Sequence, residues 1–216
     1  MYQDGTTTAP DAEPTPDTVV FDLGNVLIRW DPAPAFHGVL DPDDVPAFLD
    51  EIDFAAWNHQ QDAGRSWDEA VRELTARHPH HADVIAAYVP NFLDTLEEMP
   101  DTVAVLEELQ EVGVRLLALT NWSAELFAVA RKEFAFLDLF EGIVVSGEER
   151  VAKPDPRVFE ILLERYHVEG ARALFVDDSA ANVAAARQAG LRGVVFTDAV
   201  ALREQLRAAR VVEPRT

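Results

Sequence analysis

The sequence predicts an α/β fold: a parallel sheet covered by helices, with a helical domain inserted after the first strand. Three observations support this prediction. Residues 19–21 form a short apolar run typical of a strand covered on both faces. From residue 100 onward, amphipathic segments alternate with similar apolar runs, as in successive β-α-β units. Residues 32–99 instead have helical periodicity and no convincing strand.

The second half of the chain contains most of the predicted core. Its predicted elements, in order, are helix 101–113, strand 114–120, helix 123–134, strand 142–146, helix 155–167, strand 171–178, helix 179–190, strand 192–196 and helix 199–210. Gly113 ends the first of these helices, as expected for a residue that adopts a left-handed conformation easily.

The predicted domains follow from these patterns. Residues 1–17 are rich in Thr, Pro and Asp, which predicts a disordered leader. Residues 18–31 and 100–212 form the predicted core, and residues 32–99 form a helical cap with helices at 45–52, 66–78 and 82–96. Ser66 followed three residues later by Glu69 has the spacing of a capping box for the second of these helices.

Composition restricts the partners. The chain has 216 residues, 48% of them hydrophobic, and a formal charge of -21 from 39 acidic and 18 basic residues. This charge opposes binding to nucleic acid or anionic lipid, so we expect neither partner. An anionic small-molecule substrate would need a local positive site. The absence of cysteine excludes disulfides and thiolate chemistry. With no apolar stretch long enough to span a membrane and no signal pattern, we predict a cytoplasmic protein, monomeric or homodimeric.

Polar residues follow the apolar runs at four places: Asp22, Thr120, Lys153 and the pair at 177–178. Each has an ordinary local explanation, such as a turn or helix cap, or a β-branched residue at the end of a strand. In a parallel sheet, however, the carboxyl ends of the strands lie along one edge, where ligands bind. The sequence therefore predicts one polar crevice at this edge.

Four ordered motifs carry a resemblance to a known family: "FDLGNVL", "LTNWS", "KPDPRVF" and "VDDSAANVAAARQAG". Together they resemble the haloacid dehalogenase superfamily of hydrolases, in the branch with a helical cap after the first strand. The resemblance covers nearly the whole chain from residue 18. It implies a Rossmann-like core and a phosphatase that uses Mg2+ as its cofactor.

The resemblance also implies which residues take part. Asp22 would be the nucleophile that forms an aspartyl-phosphate. The Mg2+ ligands would be Asp22, the backbone carbonyl of Gly24 and Asp178, with Asp177 binding directly or through water.

Three further positions would contact the phosphoryl group. Thr120 would donate its hydroxyl, together with the backbone N–H of Asn121 or Trp122 at the start of a helix. Lys153 would provide a compact positive charge between nucleophile and phosphoryl group.

The first motif departs from the family pattern at Gly24. Most phosphatases of the superfamily have a second aspartate there, which protonates the leaving oxygen. Its absence leaves three hypotheses: a phosphatase with another proton source, a metal-free 2-haloacid dehalogenase, or a non-catalytic relative that binds a phosphorylated ligand. The acids at 177–178 favour the phosphatase, since dehalogenases generally have uncharged residues there. Without an acid, activated aryl phosphates should be cleaved far faster than alkyl phosphates.

Substrate selection is expected in the cap. Residues 54–64 contain Trp57, Asn58 and His59 near a predicted turn, a mixture of stacking surface and hydrogen-bonding groups suited to a sugar phosphate. Trp30 and Trp122 are placed by sequence at the entrance of the crevice. Packing in the protein interior is an equally good explanation for Trp57.

Overall fold

A computed structural model of the protein describes residues 14–211. The described strands, in chain order, are β1 (Thr18–Phe21), β2 (Ile28–Trp30), β3 (Leu96–Glu98), β4 (Arg115–Thr120), β5 (Gly142–Val145), β6 (Ala173–Asp177) and β7 (Arg192–Val195). Five of them form one parallel sheet in the order β5-β4-β1-β6-β7. The predicted α/β fold with a parallel sheet is confirmed.

Strand β1 lies at the centre of this sheet and is buried along its whole length. Val19 and Phe21 pack into one hydrophobic cluster, and Val20 packs into another. Alternate side chains of a strand point to opposite faces, so both faces of the sheet are covered. The register pairs Phe21 with Ala118 of β4 and with Val176 of β6. These three strands therefore end at the same level.

Ten α-helices accompany the strands in the described residues. They are α1 (Val45–Glu51), α2 (Phe54–Asp62), α3 (Trp67–Arg77), α4 (Ala82–Ala87), α5 (Pro100–Glu111), α6 (Ala124–Glu133), α7 (Ser146–Glu149), α8 (Pro156–Arg165), α9 (Ala180–Gln188) and α10 (Ala199–Ala208). Serine side chains cap the N-termini of the helices that follow β4 and β6. Ser123 accepts a hydrogen bond from Leu126 N–H, and Ser179 accepts one from Asn182 N–H.

Helices α1–α4 belong to the insertion between β2 and β3, whose interior is largely aromatic. Trp57, Trp67 and Tyr88 have ring centroids 5.1–6.2 Å apart, and Phe54 packs 5.1 Å from Tyr88. Large aromatic side chains bury much apolar surface, which allows four short helices to form a stable unit. The predicted capping box contributes the bond from Glu69 N–H to Ser66 Oγ, which begins α3.

The structure differs from the sequence prediction in the cap. A helix, α2, occupies the segment expected to be a turn. The predicted helix at 82–96 ends as α4 at Ala87 and resumes only as a 3₁₀ turn at Phe92–Thr95, because Pro90 between them has no N–H to donate. Strands β2 and β3 pair antiparallel at the base of the cap, where no strand was expected in residues 32–99.

The predicted leader lies outside the described residues except for residues 14–17. Within these, Asp17 is already hydrogen-bonded: its N–H donates to the Arg172 carbonyl, and its carbonyl accepts from Arg115 N–H. Asp17 is therefore bonded to the residues that precede β6 and begin β4. Across residues 14–211, the helices are all too short or too polar to cross a lipid bilayer.

Candidate active site

Three carboxylates meet at the carboxyl edge of the sheet. Asp22 follows β1, Asp177 ends β6 and Asp178 comes next, and oxygen atoms of the three lie within 4.8 Å of one another. Asp177 is fully buried, Asp22 is 8% exposed and Asp178 is open to the cleft. The expected convergence of these strand ends is therefore present.

Lys153 provides the positive charge in this cluster. Its Nζ lies 2.9 Å from Asp22 Oδ1 and 2.7 Å from Asp177 Oδ2, and it donates to the Leu119 carbonyl at 2.8 Å. Burial alone would lower the pKa of Lys153, but Asp22 and Asp177 outweigh it and hold that pKa above its ordinary value. The ammonium therefore stays charged.

Asn121 holds the backbone that carries Lys153. Its Nδ2 donates to the Lys153 carbonyl at 2.9 Å, and its Oδ1 accepts from the Lys153 N–H at 2.8 Å. These two hydrogen bonds between the Asn121 side chain and the Lys153 backbone join the loop after β4 to the loop before α8. The substrate contact predicted from the sequence for Asn121 is through its backbone N–H, and the side chain takes this supporting position instead.

The cluster contains more negative than positive charge. Burial raises the pKa of Asp22, and Asp177 raises it further, while Lys153 opposes both. One ammonium faces three carboxylates, and the donor atoms around the gap are oxygens. Such a set suits a hard divalent cation such as Mg2+.

The oxygens of Asp177 already have partners. Oδ2 contacts Lys153 Nζ, and Oδ1 accepts from Ser179 N–H at 2.8 Å and from Asn182 Nδ2 at 3.0 Å. The carboxylate of Asp178 is more open to solvent, and a side-chain hydrogen bond from Asn25 orients it. Asp178 is therefore freer than Asp177 to bind a cation.

Thr120 ends β4 beside this cluster. It is 1% exposed, and its hydroxyl has no hydrogen-bond partner among residues 14–211. A buried hydroxyl without a partner is costly, so an external acceptor is expected. The neighbouring Trp122 N–H donates to Ser146 Oγ at 3.0 Å and is already occupied.

A cleft of about 170 Å³ opens above Asp22, between core and cap. Trp30 and Trp122 line it as predicted, and three further rings, of Trp67, Tyr88 and Phe92, complete an aromatic wall. Pockets with apolar walls and a few polar groups are typical of small-molecule sites.

Trp67 also joins the cap to the core. Its Nε1 donates to Ser123 Oγ at 2.8 Å, and its N–H donates to Glu125 Oε1 at 3.1 Å. Both acceptors lie at the start of α6, directly after the loop that carries Thr120. The cap is therefore held to the core close to the carboxyl end of β4.

The residues predicted in the cap divide into two groups. Asn58 lines the cleft. Trp57 does not: it is 2% exposed, and its Nε1 donates to the Ala70 carbonyl within the cap. His59 is exposed and is not among the residues that line the cleft. The prediction for Trp57 and His59 is corrected because successive residues of a helix point about 100° apart, so the three cannot all face the cleft.

Asp62 is a cleft residue that the sequence analysis missed. Its Oδ2 accepts from Asn58 Nδ2 at 3.2 Å, and the backbone N–H of Ser123 also donates to its carboxylate. Burial, followed by the charge of Asp22, raises its pKa to about 7. Recognising α2 as a helix would have placed Asp62 on the same face as Asn58, since positions 58 and 62 are one turn apart.

Comparison with protein families matches residues 16–190 to the haloacid dehalogenase-like hydrolases. The chain belongs to this family. The resemblance carried by the four motifs is thus confirmed, and with it the assignment of this haloacid dehalogenase-like protein as a hydrolase.

Relatives of this haloacid dehalogenase-like hydrolase include phosphatases. It is 29% identical over 192 residues to the sesquiterpene phosphatase astK of Aspergillus oryzae, covering 87% of this chain and 93% of that protein. It is 32% identical over 203 residues to the phosphoglycolate phosphatase of Rhodospirillum rubrum, covering 84% and 80%.

Its fold also matches solved structures of the family. One is a family enzyme from Bacteroides thetaiotaomicron, a mutant crystallised with magnesium and inorganic phosphate. The TM-score is 0.67 at 19% identity, covering 83% of this chain and 93% of that one.

Proposed function

We propose that the protein is a Mg2+-dependent phosphatase that hydrolyses a small phosphomonoester through an aspartyl-phosphate on Asp22. The observation that carries the proposal is the position of Asp22 at the floor of the cleft, paired with Lys153 and beside two further carboxylates. A dehalogenase would not need those acids.

The hydrogen bonds of Asp22 fix the direction of attack. Its Oδ1 is held by Lys153 Nζ at 2.9 Å and by Leu23 N–H at 2.7 Å. The other oxygen is left for the reaction. Fixing a nucleophile in this way removes much of the entropic cost of attack.

Asp22, the Gly24 carbonyl and Asp178 would hold the Mg2+. We place Asp177 behind them as a support, since Lys153, Ser179 and Asn182 already occupy its oxygens. When bound, the metal would neutralise the charge of the phosphoryl group and let one anion approach another. The relative crystallised with magnesium and phosphate supports this cofactor.

Thr120 and Asn121 would bind the phosphoryl oxygens. Within the described part of the chain the buried Thr120 hydroxyl has no hydrogen-bond partner, and a phosphoryl oxygen would provide one. Because Ser146 occupies the Trp122 N–H, we assign the backbone contact to Asn121 rather than Trp122.

The alcohol part of the substrate would lie along the aromatic wall. Trp30 and Trp122 suit stacking against a sugar or another flat or apolar body, and Asn58 would bind a polar group of it. The phosphatase relatives support a phosphomonoester. They act on substrates as different as sesquiterpene and glycolate phosphates, so a panel of sugar, aryl and prenyl phosphates is the appropriate screen.

Phosphate release from an activated aryl phosphate tests the proposal. We expect turnover with Mg2+, none with a chelator and none from Asp22→Asn, while Asp50→Asn, an exposed carboxylate on α1, retains full activity. If wild type releases no more phosphate than Asp22→Asn, the proposal fails. Halide release from a 2-haloacid would then identify a dehalogenase.

A further inference from the structure

The cleft lacks the usual source of a proton for the leaving group. Gly24 stands two residues after the nucleophile and has no side chain to donate one. An alkoxide is a poor leaving group, and general acid catalysis typically contributes roughly a hundredfold to ten-thousandfold. A phosphatase acting on alkyl esters at this site would need an acid elsewhere in the cleft. This inference rests on the proposed function.

Asp62 has the required position. It is the last residue of α2 and lines the cleft from the cap, while Asp22 lines it from the core. In an in-line displacement the leaving oxygen points away from the nucleophile, which here is toward the cap. Asp62 is partly buried, and its carboxylate is oriented by Asn58 and by the Ser123 N–H.

The groups around Asp62 decide how readily its carboxyl group holds a proton. Burial and Asp22 raise its pKa to about 7, against the lowering influence of Ser123 N–H and Lys153. Asp178 lines the same cleft, and Tyr88 is the titratable neighbour from within the cap. An acid that is partly protonated near neutral pH serves well both as donor and as acceptor.

Tyr88 is less suitable as the donor. Burial raises the pKa of its hydroxyl above the ordinary value, and the hydroxyl accepts a hydrogen bond from Trp30 Nε1 at 3.3 Å. A phenol with a raised pKa gives up its proton reluctantly.

We propose that Asp62 is the general acid and base of this enzyme, supplied by the cap in place of the residue missing at Gly24. In the first step, an Asp22 oxygen forms a bond to phosphorus, the bond from phosphorus to the ester oxygen breaks, and the Asp62 proton moves to that oxygen to give the alcohol. In the second step, Asp62 takes a proton from water as the water oxygen attacks phosphorus. The Asp22 carboxylate leaves, and phosphate is released.

The test compares two substrates in Asp62→Asn. For an alkyl phosphate we expect kcat/KM to fall roughly a hundredfold to ten-thousandfold, because its oxygen needs a proton. For an activated aryl phosphate, whose oxygen leaves as a stable anion, we expect a loss within about tenfold. kcat/KM is the appropriate constant because it includes leaving-group departure but not the later hydrolysis.

Three further results are expected. The fall of wild-type kcat/KM for the alkyl ester as pH rises through about 7 should disappear in Asp62→Asn. Asp62→Glu, which keeps the carboxyl group, should restore part of the alkyl activity. Asp50→Asn should behave as wild type with both substrates.

Three results would overturn the role of Asp62 while leaving the proposed function in place. They are equal losses for both esters in Asp62→Asn, no loss for either ester, or a pH profile that Asp62→Asn leaves unchanged, each with a wild type whose activity still needs Asp22. A wild type that cleaves neither ester would instead remove the proposed function, and the role of Asp62 with it. The wild-type control therefore separates the two failures.

Discussion

Replacing Lys153 with Met should leave the buried carboxylates of Asp22 and Asp177 without their positively charged partner. Lys153 is 1% exposed and lies 2.9 Å from Asp22 and 2.7 Å from Asp177. Removing one member of a buried ion pair typically costs about 3–5 kcal/mol. For a protein of this size, a loss of that order lowers Tm by roughly 10 °C. We therefore expect Lys153→Met to unfold at clearly lower urea concentration and temperature than wild type.

The unfolding free energy lost in Lys153→Met should increase with pH. Burial already raises the pKa of Asp22, and Lys153 opposes this rise, so without Lys153 the folded-state pKa of Asp22 rises further above its unfolded-state value. The stabilising contribution of Asp22 is then present at low pH and is lost as pH rises through the folded-state pKa. The gap in unfolding free energy between wild type and Lys153→Met should accordingly be larger at about pH 8 than at about pH 5.5.

The assay is urea unfolding in chelator at both pH values, so that no divalent cation replaces the lost charge. Lys132→Met is the matched control, since Lys132 is the other lysine of the chain and is exposed on α6. The double variant Lys153→Met with Asp177→Asn should regain part of the loss, because it removes one of the two like charges. A Lys153→Met variant within about 0.5 kcal/mol of wild type, or a second substitution that deepens the loss, would refute the reasoning.

Three other outcomes follow from the structure. Thr120→Val removes a buried hydroxyl that has no hydrogen-bond partner among the residues the structure describes. The unfolding free energy should therefore stay the same or rise by about 1 kcal/mol, while kcat/KM for phosphate esters falls by roughly a hundredfold. A loss of stability would contradict this. Trp67→Phe removes the bond to Ser123 and should cost about 1 kcal/mol in urea unfolding and raise KM, and no change in either would argue against its role in joining cap and core. Because the pKa of Asp62 rises to about 7, wild type should lose stability relative to Asp62→Asn between about pH 4 and pH 7, by about 4 kcal/mol at most; parallel stability curves would be inconsistent with that pKa.

The core was predictable from the sequence because its strands are short apolar runs bounded by helix caps. The placement of Asp22 and Asp177 followed from parallel topology alone, since neighbouring strands end at one edge. The contacts of Lys153 did not follow from the pattern. They depend on Asn121 holding a distant backbone segment, a relation between residues 32 positions apart.

The cap was less predictable for physical reasons. Helix α2 buries only Phe54, Trp57 and Gln61, so its apolar face is too weak to give a clear period. Strands β2 and β3 have three residues each, and their central pair, Arg29 with Glu97, forms an exposed ion pair. Neither strand carries an apolar alternation.

The role of Asp62 could not be predicted from local sequence. Its environment depends on the packing of the cap against the core, which brings the Ser123 N–H and the charge of Asp22 to a residue at the end of α2. A carboxylate one helical turn after Asn58 and two residues before a glycine is, by pattern alone, an ordinary helix end. The departure at Gly24 was visible in the sequence, but the residue that compensates for it was not.

The central claim is that the phosphoryl group passes through Asp22, and the stereochemical course at phosphorus tests it most directly. A phosphorothioate ester whose two non-bridging oxygens are different isotopes is hydrolysed in water labelled with the third oxygen isotope, and the configuration of the released chiral thiophosphate is determined. Two successive in-line displacements, first by Asp22 and then by water, predict retention of configuration. Inversion would mean that water attacks the substrate directly, and the covalent role of Asp22 would be wrong.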